Sequence, residues 1–345
     1  MTRTVLITGG AGFLGRALVD ELLEEGGWDL RVLDIAIREP LPDGVTTIQA
    51  DVLDEHALGR ACAGADAIVH TAGLVDWGQA TTARLEAVNV DGVRAVVRAA
   101  RQHGVRALVH TSTMDVVCGT APVVDADETT PFPDVFTNDY ARTKAEGEAV
   151  ALAADDERLR VCAVRPCGMF GERDPYHLPN VLRMLDAGRL PMRLGNGTAR
   201  FQHVYVRNVA HAHVLALRDL LSDEPASTGQ AYFVTDADAV DFFEHLEPIV
   251  TALGHRLPER RMPEPVAMAI ATAMEGVAAL TERVPFLPTF SPTMTRSSVR
   301  FVCHDHTFDG SKARRDLGYA PKYPPDMALE RTIAWWREHR DAAAV

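Results

Sequence analysis

Val5-Leu6-Ile7-Thr8-Gly9-Gly10-Ala11-Gly12-Phe13-Leu14-Gly15 is the stretch on which the fold turns. A short apolar strand runs into a glycine cluster, and the chain resumes in the helical pattern of Leu14–Glu24. Glycines at such a turn permit a tight reversal and let backbone amides approach a pyrophosphate at the positive helix N-terminus. The string fits two spacings, G-x-x-G-x-x-G from Gly9 and G-x-G-x-x-G from Gly10, so spacing alone leaves the kind of dinucleotide fold open. Under either reading Gly9, Gly12, Phe13, Leu14 and Gly15 should border a dinucleotide.

Working outward, short apolar strands keep alternating with helical stretches. They are Leu30–Asp34, Asp54–Ala63, Ala67–His70, Leu85–Arg101, Ala107–Ser112, Tyr140–Ala154 and Arg160–Arg165. Strands apolar along their whole length indicate a sheet covered on both faces, so the expected class is α/β with a doubly wound parallel sheet. After Pro166 the pattern loosens into glycine- and proline-rich loops, then tightens over Val204–Leu217 and Ala231–Val234. The tail from Asp241 reads as helices with proline breaks, ending around Met327–Arg340. The division expected is a dinucleotide-binding domain of 1–167 plus about 201–236, and a smaller substrate lobe of about 168–200 plus 237–345.

Asp34 ends the second strand, 19 residues after Gly15. A carboxylate there accepts hydrogen bonds from ribose hydroxyls and repels a 2′-phosphate, which favours NAD over NADP; nearby Arg38 keeps a minority NADP reading. Asp51-Val52, read as closing a third strand, could take the adenine amino group. Thr71, Ala72 and Gly73 follow the fourth strand with small residues that let backbone lie against the cofactor.

Tyr140 and Lys144 lie four apart at the head of a helical stretch, so they share a face. A lysine charge beside a phenol favours the phenolate and should lower the tyrosine pKa toward working pH, which suits a general acid/base.

The formal charge of −13, with no basic block, argues against a nucleic-acid partner. Five scattered cysteines, none in a C-x-x-C, read as reduced thiols in a cytoplasmic protein. The chain enters its first strand without a signal-like preamble, and no run of ~18 apolar residues suggests a span.

Together these strings resemble the extended short-chain dehydrogenase/reductase family, whose sheet is of the Rossmann type. The resemblance rests on TGGAGFLG, Asp51-Val52, HTAG, Asn89-Val90-Asp91-Gly92, HTST at His110–Thr113 and YARTK. HTAGLVDWG (70–78), RPCGMFGERDP (165–175), GNGTARFQHVYVRNVAHAHVLAL (195–217), PTFSP (288–292) and DLGYAPKYPPDMALERT are similar to the 3β-hydroxysteroid dehydrogenase branch, especially the sterol-4α-carboxylate 3-dehydrogenases.

The resemblance implies Tyr140 as acid/base and Lys144 as its electrostatic partner, also holding the nicotinamide ribose. It implies Thr113 in the place of the usual serine, Asn89 organising a relay water, and Pro166, Gly168 and Met169 bordering the nicotinamide. Ser112 is the rival hydroxyl; strand alternation should let only one of the two reach Tyr140. The implied activity is NAD-dependent oxidation of a sterol or steroid 3β-hydroxyl, with loss of a 4α-carboxylate as carbon dioxide where one is present. A homodimer is also implied. Rival readings are a long-chain 2-alkyl-3-oxo acid reductase, a nucleotide-sugar epimerase or dehydratase, and a non-catalytic NAD-sensing regulator.

Other features read more plainly. His211 and His213 are two apart on a helix and do not share a face, and His304 and His306 are weak ligand candidates, so no metal is expected. Cys167 reads as a packing residue. The apolar stretch 265–280 reads as lobe packing or as a greasy lid over the substrate that also touches a membrane surface. Arg173 is the candidate partner for a substrate carboxylate.

Overall fold

A computed structural model describes all residues except Met1, 76–79, 237, 284–289, 291 and 340–345. Residues 76–78 of the HTAGLVDWG string and three of the five in PTFSP therefore lie outside the described residues. Seven strands form one parallel sheet: β1 (Arg3–Thr8), β2 (Trp28–Asp34), β3 (Thr46–Gln49), β4 (Ala67–His70), β5 (Ala107–Thr111), β6 (Arg160–Pro166) and β7 (Ala231–Val234). Their order across the sheet is 3-2-1-4-5-6-7. It reverses between β1 and β4, and in such sheets ligands bind at the carboxyl ends of the strands at that point.

The apolar strands have a two-sided reason. Val5 and Ile7 point into the layer holding α1 (Phe13–Glu25) and α5 (Val206–Leu220), whereas Leu6 points into the layer of α2 (Glu55–Cys62) and α3 (Gly92–His103). All three side chains are fully buried. Each such burial stabilises by roughly 1.5–3 kcal/mol, an upper estimate set by an extended unfolded chain. Helix starts follow local capping: Asp54 accepts from the His56 and Ala57 amides, and Asn138 accepts from Ala141 N at 2.8 Å to open α4 (Asp139–Leu152).

Two sequence expectations shift. The third strand stops at Gln49, so Asp51-Val52 lies beyond it, in a turn where Asp51 accepts from Leu53 N. The helix expected over Leu85–Arg101 is three pieces: Thr82–Glu86, a π turn over Ala87–Asp91, and α3, which ends at Gly104 with φ 69°. Single π turns are frequent at functional positions, and Asn89 lies in this one.

The second region grows out of the sheet. Gly168–Phe170 pairs in parallel with His203–Tyr205. Helices His177–Asp186, Phe242–Ala252 and Pro325–His339 share a core that includes Leu178, Leu182, Leu246, Ile249 and Trp336. Lys322 and Tyr323 both reach Glu21, which fixes the tail to α1. Among the described residues no helix is long and apolar enough to cross a membrane.

Candidate active site

Two clefts meet above the carboxyl ends of the strands. The larger, about 1580 Å³ with open solvent included, is bordered by Gly9, Gly12, Phe13, Leu14, Gly15, Asp34, Asp51, Val52, Thr71, Ala72, Gly73, Tyr140, Lys144 and Met169. The second, about 900 Å³ on the same measure, is bordered by Pro166, Gly168 and Met169 with Thr113, Asp115, Tyr176, His177 and Phe301. Phe13, Val75, Ser112, Tyr140, Met169 and Tyr176 border both, so the two spaces join at the Tyr140 ring.

The larger cleft is built from close backbone approaches. Gly9 has φ +73°, and a Cβ there would lie 2.6 Å from Ala72 N. A Cβ on Gly15 would lie 2.1 Å from the Gly9 carbonyl oxygen, so only glycine lets α1 start this close to the turn. No side chain caps α1, which leaves its amide end for an anion. Asp34 is fixed by two amides, Ala11 N and Ala36 N, each at 3.0 Å. Arg38 is exposed and does not border this cleft, whereas Arg84 does. A glycine cradle, an open helix end and a fixed carboxylate fit a dinucleotide.

At the junction, Thr113 hydrogen-bonds Tyr140 and donates to Asp115 Oδ2 at 2.9 Å. Lys144 is buried and donates to the Thr111 carbonyl oxygen at 2.6 Å. Burial pushes Lys144 down to about 8, with Glu148 opposing. Tyr140 moves the other way: burial raises it, Asp115 and Tyr176 raise it further, and only the Thr113 hydrogen bond lowers it. The lowered tyrosine pKa expected from sequence is thus not found; the lysine is the group brought near working pH. Burial also raises Asp115, against the Thr113 hydrogen bond and the His177 charge.

Four features singled out in the sequence take their places here. Strand alternation does not separate Ser112 from Thr113, because β5 ends at Thr111 and both border the second cleft. What separates them is bonding: Thr113 holds Tyr140 and Asp115, while the buried Ser112 Oγ has no hydrogen-bond partner. Asn89 spends its side chain on the Leu74 backbone, accepting from N at 2.8 Å and donating to O at 3.0 Å, and also reaches Thr143. Its amide therefore clamps the turn after β4 to α4. Arg173 has φ 65° and lies beside Glu39 and the Trp335 ring, away from the second cleft. Finally, helix Glu264–Arg283 buries Ala267 and Ala271 against Val299 and leaves Val266, Ile270, Val277 and Leu280 exposed, and none of its described residues borders the second cleft.

The histidines weighed as metal ligands find ordinary partners. His213 meets Thr111 Oγ1 and the Val209 carbonyl, His211 lies beside Glu21, and His304 pairs with Glu264. Among the described residues no group of three or more His, Cys, Asp or Glu side chains is placed to hold a metal. Cys167 is buried with its thiol pushed well up by burial, as a packing residue would be. Asp115, Tyr176, His177 and Phe301 were missed from sequence. Only Asp115 carried a local signal, since a carboxylate two residues past a threonine lies within reach of its hydroxyl.

Similarity to known proteins agrees with this geometry. A sequence model of the 3-beta hydroxysteroid dehydrogenase/isomerase family matches residues 6–264. The 3 beta-hydroxysteroid dehydrogenase/Delta 5→4-isomerase of Mycobacterium tuberculosis is 34% identical, over 96% of this chain and 90% of that protein. The decarboxylating sterol-4-alpha-carboxylate 3-dehydrogenase of Schizosaccharomyces pombe is 32% identical, over 94% of this chain and 95% of that protein. In fold, the chain matches DesIV, a dTDP-glucose 4,6-dehydratase from Streptomyces venezuelae solved with NAD and DAU bound. The TM-score is 0.75 at 24% identity, over 98% of each chain, and that likeness shows the fold alone. With the Tyr140–Lys144 pair at the junction of two clefts, the chain belongs to the 3-beta hydroxysteroid dehydrogenase/isomerase family and is an extended short-chain dehydrogenase/reductase acting on CH–OH groups.

Proposed function

We propose that this protein oxidises the 3β-hydroxyl of a steroid or sterol to the 3-ketone, with NAD as hydride acceptor. The observation that carries the reading is the Tyr140 ring standing where the two clefts join, with Lys144 of the same helix on the larger cleft and Thr113 on the second. When bound, NAD⁺ supplies the electrophilic C4 that accepts the hydride. Gly9, Gly12 and Gly15 with the α1 amides hold the pyrophosphate, Asp34 takes the ribose hydroxyls, and Lys144 holds the nicotinamide ribose. Thr71, Ala72, Gly73 and Met169 border the cofactor, with Pro166 and Gly168 on the substrate side.

Tyr140 takes the substrate hydroxyl proton and Thr113 orients that hydroxyl. The Lys144 ammonium stabilises the phenolate that Tyr140 must be before this transfer, which leaves it as the neutral phenol, and such acid/base help contributes roughly 10²–10⁴-fold. Asn89 positions this set by holding the 71–74 turn against α4. With a 4α-carboxylate on the substrate, the product would be a β-keto acid, and carbon dioxide would leave as the bond electrons flow into the ketone.

Phe13, Val75, Met114, Met169 and Phe301 give the second cleft an apolar lining, and no Lys or Arg among its described residues could meet a sugar diphosphate or an oxo acid. Both features support a rigid apolar substrate. The test is NADH formation from a panel of 3β-hydroxysteroids, 2-alkyl-3-hydroxy acids and UDP-sugars. Turnover confined to the steroids is expected, and turnover confined to either other class would remove the reading.

A further inference from the structure

We propose that Asp115 makes the substrate cleft selective for uncharged 3β-hydroxysteroids over their 4-carboxylated counterparts. The proposal deepens the steroid-oxidising reading above and rests on it. Asp115 is part-buried in the cleft wall and is the one carboxylate among the described residues that border it. It stands one hydroxyl from the chemistry, since Thr113 donates to its Oδ2 at 2.9 Å and hydrogen-bonds Tyr140.

No lysine or arginine among the described residues borders this space. Arg173, the natural candidate for a carboxylate partner, is turned toward Glu39 and Trp335. Two histidines remain. His306 is a poor cation, because burial lowers it to about 4. His177 has Nδ1 against the Met169 carbonyl oxygen.

A reacting 3β-hydroxyl must sit against Tyr140 and Thr113, and C4 is bonded directly to the carbinol carbon. A carboxylate on C4 would therefore be held near Asp115 whenever the hydroxyl is held for reaction. Two carboxylates within about 4–6 Å in a desolvated site repel, and one must take up a proton or leave. A neutral steroid meets no such opposition.

The experiment compares kcat/KM for NAD reduction with two sterols that differ only in a 4-carboxylate, at neutral pH. It uses the wild type, Asp115→Asn and Asp115→Glu. The wild type is expected to favour the uncharged sterol by about tenfold or more, a ratio read directly as differential transition-state binding. Asp115→Asn should shrink that ratio about tenfold and Asp115→Glu should keep it. A second measurement needs no variant: a 3-deoxy-4-carboxysterol should inhibit the wild type more weakly than its methyl ester. Equal or better turnover of the acid by the wild type, equal inhibition by acid and ester, or an unchanged ratio in Asp115→Asn would each overturn the proposal. NADH from neither sterol, with turnover of a UDP-sugar or hydroxy acid, would remove the steroid reading itself and the selectivity with it.

Discussion

Lys144 Nζ donates a 2.6 Å hydrogen bond to the Thr111 carbonyl oxygen and so ties the head of α4 to the end of β5. Burial lowers this lysine from its ordinary 10.5 to about 8. Between those values the unfolded chain holds the extra proton, so the cost of burying Lys144 is full below about 8 and shrinks as pH rises. Activity should run the opposite way. The ammonium supports the Tyr140 phenolate, so kcat/KM for alcohol oxidation should fall as pH rises through about 8, as a property of the coupled pair. Lys144→Arg, whose charge persists above pH ~12, should abolish that descending limb. A pH profile of the variant with the limb unmoved would assign it to another group.

Tyr140→Phe should lower kcat by roughly 10²–10⁴-fold while NAD affinity, read by fluorescence titration, stays within about twofold. Because Thr113 and not Ser112 bonds Tyr140, Thr113→Val should be far more damaging than Ser112→Ala. Wild-type kinetics in Thr113→Val together with an inactive Ser112→Ala would transfer the role to Ser112.

Cofactor choice should follow Asp34, whose carboxylate is held in the cleft by the Ala11 and Ala36 amides. NAD is expected to be preferred over NADP by at least about tenfold in kcat/KM, or roughly 1.4 kcal/mol. Asp34→Ala should narrow the gap. A native preference for NADP would refute it.

Gly147 lets α4 approach the π turn closely, since a Cβ there would lie 2.2 Å from the Asn89 carbonyl oxygen. Backbone cannot yield as a flexible side chain does, so Gly147→Ala should cost about 1–3 kcal/mol in denaturant unfolding despite its better helix propensity. A stability equal to or above wild type would show that the two segments separate easily.

Substrate contact should be felt at Phe301 and not at the exposed helix. Phe301→Ala removes an aromatic wall of the cleft and should raise KM for a steroid about tenfold, the loss of roughly 50–60 Å² of apolar contact. Ile270→Asp should leave KM unchanged, because Ile270 is 38% exposed and does not border the cleft. Steady-state kinetics with both variants would decide, and a large effect at Ile270 alone would restore the lid.

What the chain declares locally, it declares early. The glycine turn, the all-apolar strands, the Asp54 cap and the four-residue spacing of Tyr140 and Lys144 depend on neighbours within a few residues, so the fold class and most of the residues that border the larger cleft were legible. Tertiary structure alone decided the rest, because it turns on where distant segments meet and how much water they exclude. That the Asn89 side chain clamps the Leu74 backbone shows only once the turn after β4 meets the π turn. Arg173 reads as an anion partner until a left-handed φ carries it to Glu39. Desolvation reverses the expected direction at Tyr140 and lowers Lys144 instead, since burial charges its cost only once the surrounding elements have packed.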